Sequence, residues 1–156
     1  MADLDTLLME ALNSEVEAQK FYENAAEKAQ STAGKRLFSE LAEFEQNHYA
    51  RVNALIQSRM KDSALKKSRQ VQGKIEIKAE VAGEIEPNKD EIVTVLDLAI
   101  NAEKKAQERY RKIADMFDDT ASKDIFMTLY FEERNHQRIL EDEFYQLSNK
   151  GVIIWE

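Results

Sequence analysis

The 156-residue chain contains only two histidines, His48 and His136, and each stands three residues after a glutamate: Glu45-x-x-His48 and Glu133-x-x-His136. On a helix that spacing puts both side chains on one face with Cβ atoms about 5–6 Å apart, close enough to hold one metal ion between them. Two more glutamates, Glu15 and Glu103, lie 30 residues before Glu45 and Glu133. A turn near residue 30 or 118 sets each such pair opposite one another on antiparallel helices, about 22 Å from the turn at about 1.5 Å per residue. Four carboxylates converging at one level carry a charge that two divalent cations would cancel. The pattern predicts a dinuclear centre held by Glu15, Glu45, His48, Glu103, Glu133 and His136.

All six stand where core residues belong. Glu15 falls between Ala11/Leu12 and Ala18, and Glu45 with His48 between Leu41 and Val52; Glu103, Glu133 and His136 repeat this in the second half. One glutamate on an apolar stripe is usually a misphased helix edge, and one histidine usually a hydrogen-bonded core residue. The same spacing twice is harder to explain that way, because an isolated buried carboxylate must be paired, protonated or metal-bound. Tyr22 and Tyr110 follow Glu15 and Glu103 by seven residues, two turns along the same face. They fit a hydrogen bond to a ligand carboxylate and plain core packing equally well. Glu17, Glu23, Glu27, Glu43, Lys104, Lys105, Glu132 and Glu141 lie off the inward stripes and are expected on a solvated face.

The elements that must position these residues are repeated. Residues 11–48 align without a gap on residues 99–136, with 15 of 38 positions identical, including Glu15/Glu103, Tyr22/Tyr110, Glu45/Glu133 and His48/His136. Shared helical composition would not keep such rare residues in register. Apolar residues recur at three- and four-residue steps in each half, so each repeat reads as a helical hairpin. Helices are expected at about 3–30, 32–60, 90–117 and 120–148, with Ser31/Thr32 and Asp119/Thr120 as N-caps. The chain thus divides into hairpin 1 (about 3–60), a crossover (about 61–89), hairpin 2 (about 90–148) and a tail (149–156), within a single all-α domain.

The crossover holds Gly73, Gly83, Pro87 and the alternating run Lys74-Ile75-Glu76-Ile77-Lys78, so part of it can be extended. It is long enough to run the length of a bundle of about 40 Å, whereas antiparallel neighbours need only about two to eight residues. One lengthwise crossing makes the second and third helices parallel, and no β structure is expected outside it. The tail Gly151-Val152-Ile153-Ile154-Trp155 is apolar and packs either on the bundle or on another subunit. Together with the alternating run it predicts a homodimer.

Composition agrees. Four glycines and one proline disfavour many short strands joined by turns, and a formal charge of −8 argues against nucleic acid as a partner. The absence of cysteine restricts any metal to oxygen and nitrogen ligands. Neither a signal peptide nor an apolar run of about 18 residues is present, so a cytoplasmic location away from membranes is expected.

Glu-x-x-His on two helices plus one glutamate from each of the other two resembles the ferritin-like di-iron carboxylate superfamily. More closely, Glu15-x-x-Ala18-x-x-x-Tyr22 with Glu45-x-x-His48, and Glu103 through Tyr110 with Glu133-x-x-His136, resemble the rubrerythrin family. The resemblance implies a ferritin-like four-helix bundle that binds two iron ions, with manganese or another divalent metal as the alternative. It implies bridging roles for Glu45 and Glu133, terminal ligation by Glu15 and Glu103, and one ion completed by each histidine. It also implies an oxidoreductase, a peroxidase reducing hydrogen peroxide or dioxygen. In two respects the chain departs from the family pattern. Ala106 stands where rubrerythrins carry an extra glutamate involved in redox-linked ligand exchange. A cysteine-ligated rubredoxin domain is lacking, so electrons would come from a separate donor such as a rubredoxin. The rival expectation is a ferritin-like iron-binding or iron-sequestering protein without peroxidase turnover, and a manganese catalase-like enzyme is a third.

Overall fold

The computed structural model describes residues 3–60 and 83–155. Four helices carry the fold: α1 (Leu4–Lys28), α2 (Thr32–Met60), α3 (Lys89–Asp115) and α4 (Thr120–Lys150). The starts of α1, α2 and α4 are set by side-chain caps. Asp3 accepts from Thr6 N, Ser31 Oγ accepts from Gly34 N, and Asp119 accepts from Ser122 N, each satisfying an N–H that has no partner within its helix. Gly151, at φ 71°, ends α4 in the left-handed conformation that favours glycine.

Side-chain pairs across the bundle give the helix directions. Tyr22 meets Glu103 and Tyr110 meets Glu15, so α1 and α3 are antiparallel. Since α1 and α2 form a hairpin, α2 and α3 run parallel, as a lengthwise crossing requires. Apolar residues form two clusters stacked along the axis. One holds Tyr22, Phe38, Leu41, Leu96, Ala99 and Leu140; the other holds Leu8, Val52, Leu55, Ile113, Phe126 and Leu129. On every helix the predicted ligand residues fall between the two, so the site is a polar layer sandwiched by apolar ones.

Residues 61–82, including the Lys74–Lys78 run, lie outside the described residues. The end of the crossover is described and is more built than a linker. Its Glu84–Ile85 strand, β1, pairs antiparallel with β2, Val152–Ile153. This corrects the expectation of no β structure beyond the crossover. The turn at Gly151 directs the tail back along the incoming chain, and two extended segments side by side satisfy each other's backbone groups. Ile153 and Trp155 are buried, and Trp155 Nε1 donates to Glu40 Oε2 at 2.6 Å. Glu143, buried in α4, accepts from Ile154 N at 2.9 Å. The tail therefore packs on its own bundle.

Glu86 fastens the crossover to the bundle. Its buried carboxylate accepts from Gln30 N (3.0 Å), Ser31 N (3.1 Å), Ser31 Oγ (2.6 Å) and Asn88 N (2.9 Å). Burial alone would raise its pKa, but these hydrogen bonds outweigh it and hold the carboxyl below its usual range. Gly34 leaves the space, since a Cβ there would lie 2.8 Å from Glu86 Oε1. Glu86→Ala should leave buried donors unpaired and cost about 1–3 kcal/mol per unmet group. Urea unfolding should show that loss, with Gly34→Ala destabilising in the same direction.

Candidate metal centre

The structure brings all six predicted residues together, each no more than 3% exposed. Glu15, Glu45, His48 and Glu133 offer ligand atoms within 4.8 Å of one another, and Glu45, Glu103, Glu133 and His136 do the same. Glu45 and Glu133 belong to both groups. Glu133 Oε1 stands 3.2 Å from His48 Nδ1 and 3.3 Å from His136 Nδ1, midway between the imidazoles. His48 Nδ1 also faces Glu15 Oε2 at 3.6 Å, and His136 Nδ1 faces Glu45 Oε1 at 3.4 Å and Glu103 Oε2 at 3.6 Å. The two imidazole rings are nearly parallel, with centroids 5.9 Å apart.

A test of fit lies in which buried atoms go without a hydrogen bond. Each of the six residues has at least one: Oε2 of Glu15, Oε1 of Glu45, Oε2 of Glu103, Oε1 of Glu133, and Nδ1 of both histidines. A folded protein rarely leaves so many polar atoms unmatched in one place. All are hard or borderline donors of the type that iron(II) or manganese(II) accepts. The residues present fit two divalent cations.

The tyrosines serve this layer. Tyr22 Oη donates to Glu103 Oε1 at 2.6 Å and Tyr110 Oη donates to Glu15 Oε1. Burial, and then the charge on the glutamate each one meets, raises both phenol pKa values well above the usual one, so both hydroxyls stay protonated donors. Each fixes one carboxylate oxygen and leaves the other facing inward.

Without cations, protons must neutralise the layer. Burial, reinforced by Glu133, Glu15 and Glu103, raises the Glu45 pKa well above its usual range, and burial with the Glu133 charge pushes Glu103 up to about 7. For His48 and His136 burial opposes the charged form, but the surrounding carboxylates win and raise both pKa values well above the ordinary imidazole value. Glu133 goes the other way: the His48 and His136 charges overcome burial and depress it.

One assignment needs correction. Glu132, expected on a solvated face, is only 20% exposed at its side chain. Its Oε1 lies 2.8 Å from His48 Nε2, and its Oε2 accepts from Arg51 Nη1 at 3.2 Å. It sits between α4 and α2, where a residue off its own helix's stripe is covered by the neighbour, which one-helix periodicity does not register. The same periodicity gives no sign of Arg51, which is buried at 6% exposure. The 88-residue offset carried a signal, because it pairs Glu132 with Phe44 and so marks a break in the repeat. Glu17 and Lys105 are exposed as expected, yet they line a cavity of about 290 Å³ between α1 and α3. It is walled by Ala18, Phe21, Ala102 and Ala106, bordered by Arg109, and reaches Glu15, Glu45, Glu103 and Glu133.

The rubrerythrin family model matches residues 6–144, which include every residue of the layer. This chain belongs to the rubrerythrin family. A solved structure titled as a hypothetical protein from Pyrococcus furiosus is 31% identical, with a TM-score of 0.73 over 94% of this chain and 91% of that one. No curated relative matches the chain. The family accounts for the ferritin-like bundle seen here, and no helix among the described residues is long and apolar enough to cross a membrane.

Stability of the rubrerythrin layer should depend on pH with a definite sign. Raised pKa values of Glu45 and Glu103 mean that the folded state holds more protons than the unfolded one above pH 4.5, up to about 7 for Glu103, so stability falls as pH rises there. The raised histidines extend the fall above pH 6.5. The metal-free melting temperature should decrease from about pH 5.5 to 8.5, and added manganese(II) should restore more of it the higher the pH, because cations compete with those protons. Calorimetry at fixed ionic strength measures both trends; a flat metal-free profile would contradict the account.

Proposed function

We propose that this rubrerythrin-family chain is a non-haem di-iron protein that reduces hydrogen peroxide, with dioxygen as a second oxidant, using electrons from a separate donor protein such as a rubredoxin. The observation that carries the reading is the pair of overlapping carboxylate–imidazole groups, with at least one unpartnered donor atom on each of six buried residues. Glu45 and Glu133 would be shared between the ions, Glu15 and His48 would complete one, and Glu103 and His136 the other. Bound iron would supply Lewis acidity and one electron per ion. Peroxide, two electrons and two protons balance to two waters.

The chain's own residues do the rest. The cavity between α1 and α3 lets a small oxidant reach the inward carboxylates, and its small alanine walls leave that path open. Tyr22 and Tyr110 hold Glu103 and Glu15 so that neither carboxylate swings into the path. The apolar clusters above and below exclude bulk water.

One observation favours a second reading, an iron-binding protein without peroxidase turnover: Ala106 occupies the place where the family pattern has its exchanging glutamate. Manganese remains an alternative metal. A cytoplasmic location and a homodimer are part of the proposal, although the buried tail no longer argues for the dimer; light scattering at micromolar concentration distinguishes dimer from monomer.

Anaerobic loading should give two iron ions per chain, falling below one in Glu45→Ala or Glu133→Ala. Ala18→Leu and Ala106→Leu should narrow the cavity and slow reductant-dependent peroxide consumption by about tenfold or more, a barrier increase of about 1.4 kcal/mol, with iron content unchanged. Iron oxidation with no peroxide turnover by the loaded wild type would favour the second reading.

A further inference from the structure

The two halves of the layer carry the same residues by the repeat, yet they differ at the outer nitrogen of each histidine. His48 Nε2 lies 2.8 Å from Glu132 Oε1, and Glu132 is in turn held by the buried guanidinium of Arg51. His136 Nε2 is buried without a hydrogen-bond partner. The repeat puts Phe44 where Glu132 stands in the other half, and the Phe44 ring packs edge-on to His136 with centroids 4.5 Å apart. Phe44 packs edge-on to His48 as well, with centroids 5.4 Å apart, so what separates the two imidazoles is that one has a carboxylate at its outer nitrogen and the other has none.

That difference acts on metal binding. Both rings turn Nδ1 inward, so a ligating imidazole must be neutral and carry its proton on Nε2. A carboxylate accepting that N–H fixes the tautomer and the ring orientation and makes Nδ1 a stronger donor, an effect worth about 10–100-fold in metal affinity. On the His136 side Nε2 meets no hydrogen-bond acceptor among the described residues, so ligation there gains none of this and leaves a buried donor unmet.

Resting on the dinuclear reading, we propose that the centre is two unequal half-sites: a resident position on the His48 side, positioned by Glu132, and a weaker, exchangeable position on the His136 side. The first ion taken up belongs to His48, and the second is the one gained and lost as metal supply varies. Glu132 is a positioning residue that acts through His48.

Cobalt(II) alone is a suitable probe, added anaerobically to the full chain. Two ions sharing carboxylates repel one another, so stepwise binding would arise even in a symmetric site. The decisive observation is which histidine holds the first ion. At one equivalent, wild type should show a single set of hyperfine-shifted imidazole resonances in proton NMR, with an exchangeable N–H that disappears in His48→Ala and persists in His136→Ala. Glu132→Gln should give two sets of comparable intensity and weaken the first binding step by about 10–100-fold while sparing the second; a merely structural role would weaken both. Because Glu132→Gln strips Arg51 of its charge partner, R51M/E132L, which replaces both by apolar residues, should behave alike. Two equal sets in wild type, or a Glu132→Gln titration like that of wild type, would overturn the inequality and leave the dinuclear reading standing. No cobalt bound at all would overturn both.

Discussion

Everything in this protein answers to the cost of placing four carboxylates and two imidazoles at one level of a low-dielectric bundle. Coulomb repulsion among buried like charges is far larger than any single packing term, so the layer must be neutralised by protons or by cations. The raised affinities of Glu45, Glu103, His48 and His136 for protons, and the depressed one of Glu133, are the proton solution to that demand. Metal binding is the other solution, and the same geometry serves both.

The surroundings limit which arrangement of the layer is reached. Tyr22 and Tyr110 reach across from the opposite helix and tie down one oxygen each of Glu103 and Glu15, so the inward oxygens are not free to hydrogen-bond elsewhere. Apolar clusters on both sides supply the burial energy that the polar layer lacks, with each fully buried Leu or Phe side chain contributing about 1.5–3 kcal/mol. A stable frame of this kind can hold a layer that would not hold itself.

The frame is closed at one end by parts that belong to no bundle helix. Glu86 binds the start of α2 to the chain entering α3, β1 pairs with β2, and Trp155 reaches Glu40. Two hairpins that could otherwise slide are thereby fastened in one register, and register is what brings Glu15 and Glu45 level with Glu103 and Glu133.

The sequence by itself determined the four helices, their caps at Ser31 and Asp119, the repeat, and the six residues of the layer. These were legible because helical periodicity and a doubled Glu-x-x-His spacing are properties of single helices and of one offset, 88 residues, along the chain. The tertiary structure alone decided that Glu132 backs His48 while His136 Nε2 meets no acceptor among the described residues, that Ala18 and Ala106 face a common cavity, and that the tail folds onto its own bundle. Each of those depends on how helices rotate and approach in space. A residue just off its helix's apolar stripe is exposed or covered according to a neighbour distant in the chain, which no periodicity within its own segment encodes.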